Sequence, residues 1–372
     1  MNHHVIKTGI IGGSMNNQWA SRAHIPALTE HPDFQITAIG TSNMESAKKS
    51  AAAVGAPLAF ADIQALAESK DVDLVVVSVK VPFHYEASIA AIEAHKHVYC
   101  EWPLAIDTKQ AKKLAELAEK AGIHHAVGLQ ARQSPEINYL KQAVQKGEIG
   151  KVLSCTMHVA TQGKGGITDE KSSYLLYQEN GADLLAINGG HSLDALCYIL
   201  GGFKELSALT NINYPEAIVQ ESGERIHKNT ADQILINGTL TSGASASVHI
   251  QGGVYPAFRL DIQGEKGAFR LSQQRSAGHV QFGRLTLEKL SYSDSSALFT
   301  DAEEIRWESV RQSSEKDAHP AGYVKKAFHV LAGDIVENKR DIPDFHDAVK
   351  LHMLLDAVRE SAETGRKIVI AQ

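Results

Sequence analysis

Cysteine is scarce in this chain. Cys100, Cys155 and Cys197 are the only three in 372 residues. Odd in number and far apart, they suggest neither a disulfide framework nor a zinc site, and no metal ligand set is assigned. Positive charge is in short supply too. Lys and Arg total 37 against 43 Asp and Glu, a formal charge of −6. That balance leaves no basic footprint for nucleic acid. No apolar run reaches the roughly 20 residues of a membrane span, and Met1-Asn-His-His4 leads into a strand with no signal-peptide pattern. Repeats and low-complexity tracts are missing as well. These shortages point to a cytoplasmic globular protein with no nucleic-acid or membrane partner.

What is present is alternation. Val5–Ile11, Phe34–Ile39, Asp73–Val79, Val98–Cys100 and His124–Gly128 read as strands. Helical spacing separates them, near Trp19–Leu28, Met44–Val54, His84–His95 and Thr108–Ala121. Asp73–Val79 is an unbroken apolar run, as expected of a parallel strand covered on both faces. The pattern predicts a doubly wound α/β sheet over residues 1–128. From Lys151 the texture changes to longer alternating strands divided by Gly, Asn and Ser turns. A second α/β domain with a large, mostly antiparallel open sheet is therefore expected over residues 129–372. It carries an apolar helix over Asn180–Leu200, and the closing helices (about 322–364) are expected to turn back toward the first domain.

Three stretches of the first domain bear on chemistry. Gly12-Gly13-Ser14-Met15 lies between the first strand and Trp19, where backbone N–H groups and a helix end can meet a phosphate. The second strand ends Gly40-Thr41-Ser42-Asn43, with no acid to bond a ribose 2′-hydroxyl, so NAD and NADP are both admitted. Cys100-Glu101-Trp102-Pro103-Leu104 follows a strand in a frame that often holds a lysine beside a nicotinamide ring. Tryptophan has no proton to exchange near neutral pH. Its indole can pack against nicotinamide, stack on a sugar face, or fill the space a lysine leaves.

Six motifs occur in one order: the strand–glycine turn, Glu101-x-Pro103, Gly128-Leu-Gln-Ala-Arg132-Gln-Ser-Pro135, Gly147-Glu-Ile-Gly-Lys151, Gly189-Gly-His191-Ser-Leu-Asp194 and Gly264-Glu-Lys-Gly267. Together they resemble the glucose–fructose oxidoreductase/inositol dehydrogenase/MocA family over nearly the whole chain, most of all the branch that holds a yeast galactose-regulon repressor. The resemblance implies a Rossmann domain binding NAD or NADP and a sheet domain serving a sugar-like substrate. A homodimer or homotetramer is expected. In active members a Glu-Lys-Pro lysine and a helix histidine handle the hydroxyl proton, aided by an Asp one turn before that histidine. Here His191 matches the histidine, whereas Trp102 and Ile187 stand in place of lysine and Asp.

His191, Lys80 and Trp102 are accordingly the candidate catalytic residues. The dinucleotide is expected to meet Gly12, Gly13, Ser14, Met15, Trp19, Thr41, Ser42, Val79, Lys80, His84, Glu101, Trp102 and Gln130. Substrate contacts are expected from Arg132, Tyr174, Tyr177, Asn188 and His191. Arg132 fits a structural clamp equally well, and Lys164, Tyr174 or Tyr177 can replace the missing acid. His319, before Pro320, reads as a turn residue. Two classes of function remain: an NAD(P)-dependent oxidoreductase acting on a sugar, polyol or related hydroxyl, and a catalytically silent NAD(P)-binding regulator.

Overall fold

The computed structural model describes residues 5–16, 19–273, 278–291 and 306–370. The chain divides into two compact units. The first comprises residues 1–130 and 319–352, the second residues 131–318 and 353–372.

Among its described residues the first unit holds six strands: β1 (Ile6–Ile11), β2 (Phe34–Gly40), β3 (Leu58–Phe60), β4 (Leu74–Val77), β5 (His97–Glu101) and β6 (His125–Gly128). All pair in parallel, in the order β3-β2-β1-β4-β5-β6. The order reverses between β1 and β4, and ligands of such sheets bind at the strand C-termini beside that reversal. β4 is completely buried, Leu74 to Val77 all being inaccessible to solvent, which explains its unbroken apolar sequence. Helices are capped as their sequences require. Asn43, Asp62 and Asp107 each accept a backbone N–H three residues on.

The segment after the glycine turn is not a uniform helix. A wide turn over Ala20–His24, in which Ile25 N–H bonds Ala20 O, precedes a short helix over Ile25–Thr29. Pro26 has no N–H to offer the carbonyl four residues back, so the i→i−4 ladder cannot run through it. The helix Pro320–Glu337 also belongs to this unit. Its Phe328 meets the rings of His24, Phe34 and Tyr99 at centroid distances of 5.8, 5.4 and 4.9 Å. His319 caps that helix by accepting the Ala321 N–H at 3.2 Å.

Among its described residues the second unit holds β7 (Val152–Thr161), β8 (Ile167–Thr168), β9 (Phe203–Asn211), β10 (Glu216–Val219), β11 (Arg225–His227), β12 (Gln233–Leu240), β13 (Ser245–Gly252), β14 (Ala257–Gly264), β15 (Gly267–Gln273), β16 (Leu285–Ser291), β17 (Glu308–Gln312) and β18 (Ile368–Val369). Nine of them form one sheet, ordered β17-β16-β15-β14-β7-β13-β12-β9-β18. Every pairing in it is antiparallel except β7 with β13. β8, β10 and β11 make a small separate sheet. Alternation is clean along β13, where Ala246, Val248 and Ile250 are buried and Ser245 and Ser247 exposed. One face is thus apolar and the other polar.

The apolar run expected as one helix over Asn180–Leu200 is divided. Gly181 adopts φ 61° after a short turn, and a wide turn over Leu185–Gly189 then feeds the helix Gly190–Leu200. No helix of the described residues is long and apolar enough to cross a membrane.

Candidate functional site

In the first unit a cavity of about 430 Å³ opens at the C-terminal ends of β1, β2 and β4. Ile11, Gly12, Ser14, Gly40, Thr41, Ser42, Ser46, Asp62, Val79, Lys80 and Phe83 all line it. Gly12 sits at φ +83°, and a Cβ there would stand 2.3 Å from Ser78 O. Only glycine permits that approach of the β1 turn to the end of β4. The amides of Gly12 and Gly13 both bond Gly40 O, at 2.9 and 3.1 Å. The glycines thus shape the turn, and donors to a phosphate must come from residues after them. Ser14 Oγ lies 3.5 Å from Ser46 Oγ, and Met15 N–H bonds Ser50 Oγ.

The donor chemistry of this cavity fits a pyridine dinucleotide. Hydroxyls from Ser14, Thr41, Ser42 and Ser46 suit ribose and phosphate, the exposed Lys80 supplies a positive charge, and Val79, Phe83 and Ile11 offer apolar flanks. Sequence reasoning passed over Asp62, which lines the same cavity from the loop after β3. Its carboxylate accepts Ala65 N–H at 2.7 Å as a helix cap. The signal was legible as an Asp three residues before Ala65, but nothing local showed that β3 would deliver it here.

Beyond β5 the residues are more enclosed. Gln130 Nε2 lies 2.9 Å from both oxygens of Glu101, and His24 Nε2 lies 2.8 Å from Glu101 Oε1. Burial raises the Glu101 pKa, but hydrogen bonds from His24, Gln130 and Trp19 and the charge of His24 outweigh it and hold the carboxyl below its usual range. Trp102 is only 4% exposed and lies against His352, ring centroids 4.7 Å apart. His84 is buried with Nδ1 at 2.7 Å from Pro103 O and Nε2 at 3.0 Å from Val79 O. Burial lowers its pKa more than the two carbonyls raise it. A neutral ring donates to one of them, tying the loops after β4 and β5 together.

The second unit carries a different cluster. Lys164 follows β7 in the run Gly163-Lys-Gly-Gly166 and adopts φ 66°. A Cβ on Gly165 would fall 2.3 Å from Gly253 Cα, so the glycine lets this loop lie against the end of β13. The Lys164 ammonium donates to Ala182 O at 3.3 Å. Its surroundings are dense enough that desolvation lowers its pKa to about 7, against a smaller opposing pull from Asp183. His279, which precedes β16, is pushed down to about 3 by burial and by the charges of His191 and Lys164. Asn188 is buried and donates to Gly278 O at 3.2 Å, with His279 Nδ1 3.4 Å away. Lys164, Asp183, Asn188, His191 and His279 therefore form one polar group.

Asp183 and His279 were missed in the sequence. Asp183, Ile187 and His191 recur every fourth residue, so an acid two turns before the histidine was visible. His279 is distant in the chain and gave no signal. Arg132 meets Asp194 through two nitrogens, with Nη2–Oδ1 at 2.6 Å and Nε–Oδ2 at 3.1 Å. Asp194 is 4% exposed, so this clamp satisfies a buried charge. Tyr174 and Tyr177 are half-buried, and burial pushes the Tyr174 hydroxyl up to about 12.

Comparison with known proteins agrees with this division. The description "Oxidoreductase family, NAD-binding Rossmann fold" matches residues 6–129, and "Gal80p, C-terminal domain" matches residues 135–273. The dehydrogenase aclE of Aspergillus oryzae is 28% identical over 376 residues, spanning 97% of each chain. The galactose/lactose metabolism regulatory protein GAL80 of Saccharomyces cerevisiae is 28% identical, over 92% of this chain and 82% of its own. The solved structure of the transcriptional regulator Gal80p from Kluyveromyces lactis superposes with a TM-score of 0.85 at 25% identity, covering 99% of this chain and 95% of that one.

Proposed function

The chain belongs to the glucose–fructose oxidoreductase/inositol dehydrogenase/MocA family of NAD-binding Rossmann proteins, and from that premise we propose that it is an NAD(P)-dependent oxidoreductase acting on a hydroxyl of a sugar, polyol or related small molecule. Lys164 is the observation that carries this reading. An alcohol oxidation needs a group to accept the hydroxyl proton. Trp102 cannot do so. The neutral Lys164 amine, available because burial lowers its pKa to about 7 and lying near enough for its charge to act on His279, can.

When bound, the dinucleotide supplies the hydride acceptor. The hydroxyl proton passes to Lys164 Nζ, and the His191 imidazole, linked with it through His279, serves as relay. The substrate carbon gives up a hydride and its hydroxyl oxygen a proton, leaving a carbonyl, so the two-electron balance closes. Asp183 stabilises the protonated lysine afterwards. His279, neutral at physiological pH, adds a hydrogen-bonding group without a competing charge. Lys80 is assigned to the dinucleotide, since it is exposed at the rim of the 430 Å³ cavity.

The burial of Trp102 against His352 supports a second reading, a cofactor-binding regulator. The family lysine's place is there taken by a packed aromatic pair. Purified protein with NAD+ or NADP+ and a panel of sugars, polyols and glycosides separates the two. Reduced cofactor formed by wild type and lost in Lys164→Ala and His191→Ala supports the oxidoreductase. Dinucleotide affinity without turnover on any substrate supports the regulator.

A further inference from the structure

Two buried amides in the second unit meet at one imidazole nitrogen. Asn188 Nδ2 lies 3.4 Å and Gln281 Nε2 3.3 Å from Nδ1 of His279. Resting on the oxidoreductase reading, we propose that Asn188 and Gln281 are positioning residues that hold His279 as its Nε2–H tautomer, so that the ring acts as a hydrogen-bond donor to the substrate oxygen that loses its proton.

The tautomer follows from one carbonyl. Asn188 Nδ2 also lies 3.2 Å from Gly278 O. A carbonyl oxygen only accepts, so Asn188 turns the nitrogen of its amide, not the oxygen, to this spot. An amide NH2 only donates. One of its hydrogens goes to Gly278 O and the other to His279 Nδ1, which is therefore the unprotonated ring nitrogen. Gln281, two residues beyond His279, offers a second N–H to the same lone pair. The charge state agrees. Enclosure and the charges of His191 and Lys164 keep the ring neutral at physiological pH, which leaves its one hydrogen on Nε2. Phe282 stacks on the ring, with centroids 5.1 Å and planes 19° apart, and Gln273 Nε2 donates to His279 O at 2.8 Å. Ring plane, backbone and tautomer are each held by a separate contact.

As packing alone the arrangement is unfavourable. Asn188 and Gln281 are 1% and 5% exposed, and Asn188 Oδ1 and Gln281 Oε1 are buried with no partner among the described residues. Amides that only filled space would turn those oxygens to donors. His279 itself is half-buried, so the ring rather than the amides keeps an edge open to a ligand. With Nδ1 closed by two donors, Nε2 is the ring nitrogen left to meet substrate. A neutral N–H aimed at the reacting oxygen stabilises the negative charge that develops there as the proton leaves for Lys164. An imidazolium in its place would oppose the ammonium that forms.

Nitrogen-15 spectra of the full chain, labelled on its histidine rings and assigned through the backbone, read the tautomer directly. His279 is expected to show a protonated Nε2 and an unprotonated Nδ1, unchanged from pH 5 to pH 9. Gln281→Glu puts an acceptor where a donor was and should move the hydrogen to Nδ1 or charge the ring. Gln281→Met takes the donor away and should only weaken the preference. With the best substrate of the hydroxyl panel, Gln281→Glu should lower kcat by about 10-fold or more, and Gln281→Met by less, at unchanged dinucleotide affinity. A wild-type ring protonated on Nδ1, or charged at pH 7, overturns the tautomer. So does a Gln281→Glu ring with the wild-type spectrum. A reversed tautomer that keeps wild-type kcat overturns the role in the reaction. The expected wild-type spectrum with no turnover of any hydroxyl overturns the oxidoreductase reading and confirms the tautomer alone.

Discussion

Trp102 lays its indole against the imidazole of His352 with ring centroids 4.7 Å apart and planes tilted by 49°. The pair explains how this position accommodates a bulky aromatic. At 4% exposure, the tryptophan is part of the packing of the first unit. Trp102→Ala should cost about 3–5 kcal/mol of stability. Trp102→Lys should be destabilising too, because it puts an ammonium where the indole was enclosed. Chemical unfolding of both variants checks this. Stability equal to wild type would show that the indole is an open wall.

Lys164 predicts two pH effects. Its pKa falls from 10.5 in the unfolded chain to about 7. Between those values the unfolded state binds more protons, so this group makes stability rise with pH across that window. Below about 7 the penalty for its buried charge is fully present. Lys164→Met should remove that slope. The proposed catalysis adds a kinetic effect, in which kcat/KM for oxidation rises as Lys164 loses its proton near pH 7. That limb should vanish in Lys164→Ala.

Glu101 gives a slope of the same sign on the acid side. Its folded pKa lies below 4.5, so the stability it contributes is present above the unfolded value and is lost as pH falls through the folded one. Glu101→Gln should flatten the acid side of the stability profile. It should also lower stability near pH 7 by about 2–4 kcal/mol, through loss of a buried charged hydrogen-bond partner. Urea melts of both proteins from neutral pH down to pH 3 read this directly.

Arg132 is tied to the buried Asp194. Arg132→Ala strands that carboxylate and should cost about 3–5 kcal/mol. Arg132→Ala with Asp194→Asn should recover much of the loss in a double-mutant cycle. A variant that keeps wild-type stability yet raises KM would instead give Arg132 to the substrate.

The parallel sheet was legible because its signals are local. An unbroken apolar β4, a glycine turn after β1 and capped helices between strands each depend on a few adjacent residues. The mostly antiparallel sheet was legible in kind, through alternation such as that of β13. Its strands β16 and β17 and the small β8–β10–β11 sheet were not, because short strands owe their existence to partners far along the chain. The site divided in the same way. Gly12, Thr41, Ser42 and His191 sit in recognisable frames, whereas Asp62 and His279 are delivered by β3 and by the loop before β16. Lys164 was visible only as one of several polar groups on a long loop. Its lowered pKa comes from enclosure that no neighbouring residue announces.

The account rests most heavily on Lys164 as the proton acceptor of an NAD(P)-dependent oxidation. Initial rates of cofactor reduction should be followed from pH 6 to pH 9 with the best substrate of a hydroxyl panel, in wild type and in Lys164→Ala. A wild-type rate that climbs through about pH 7, with the variant slower and lacking that rise, is the predicted result. A variant that keeps both the rate and its pH dependence would contradict it.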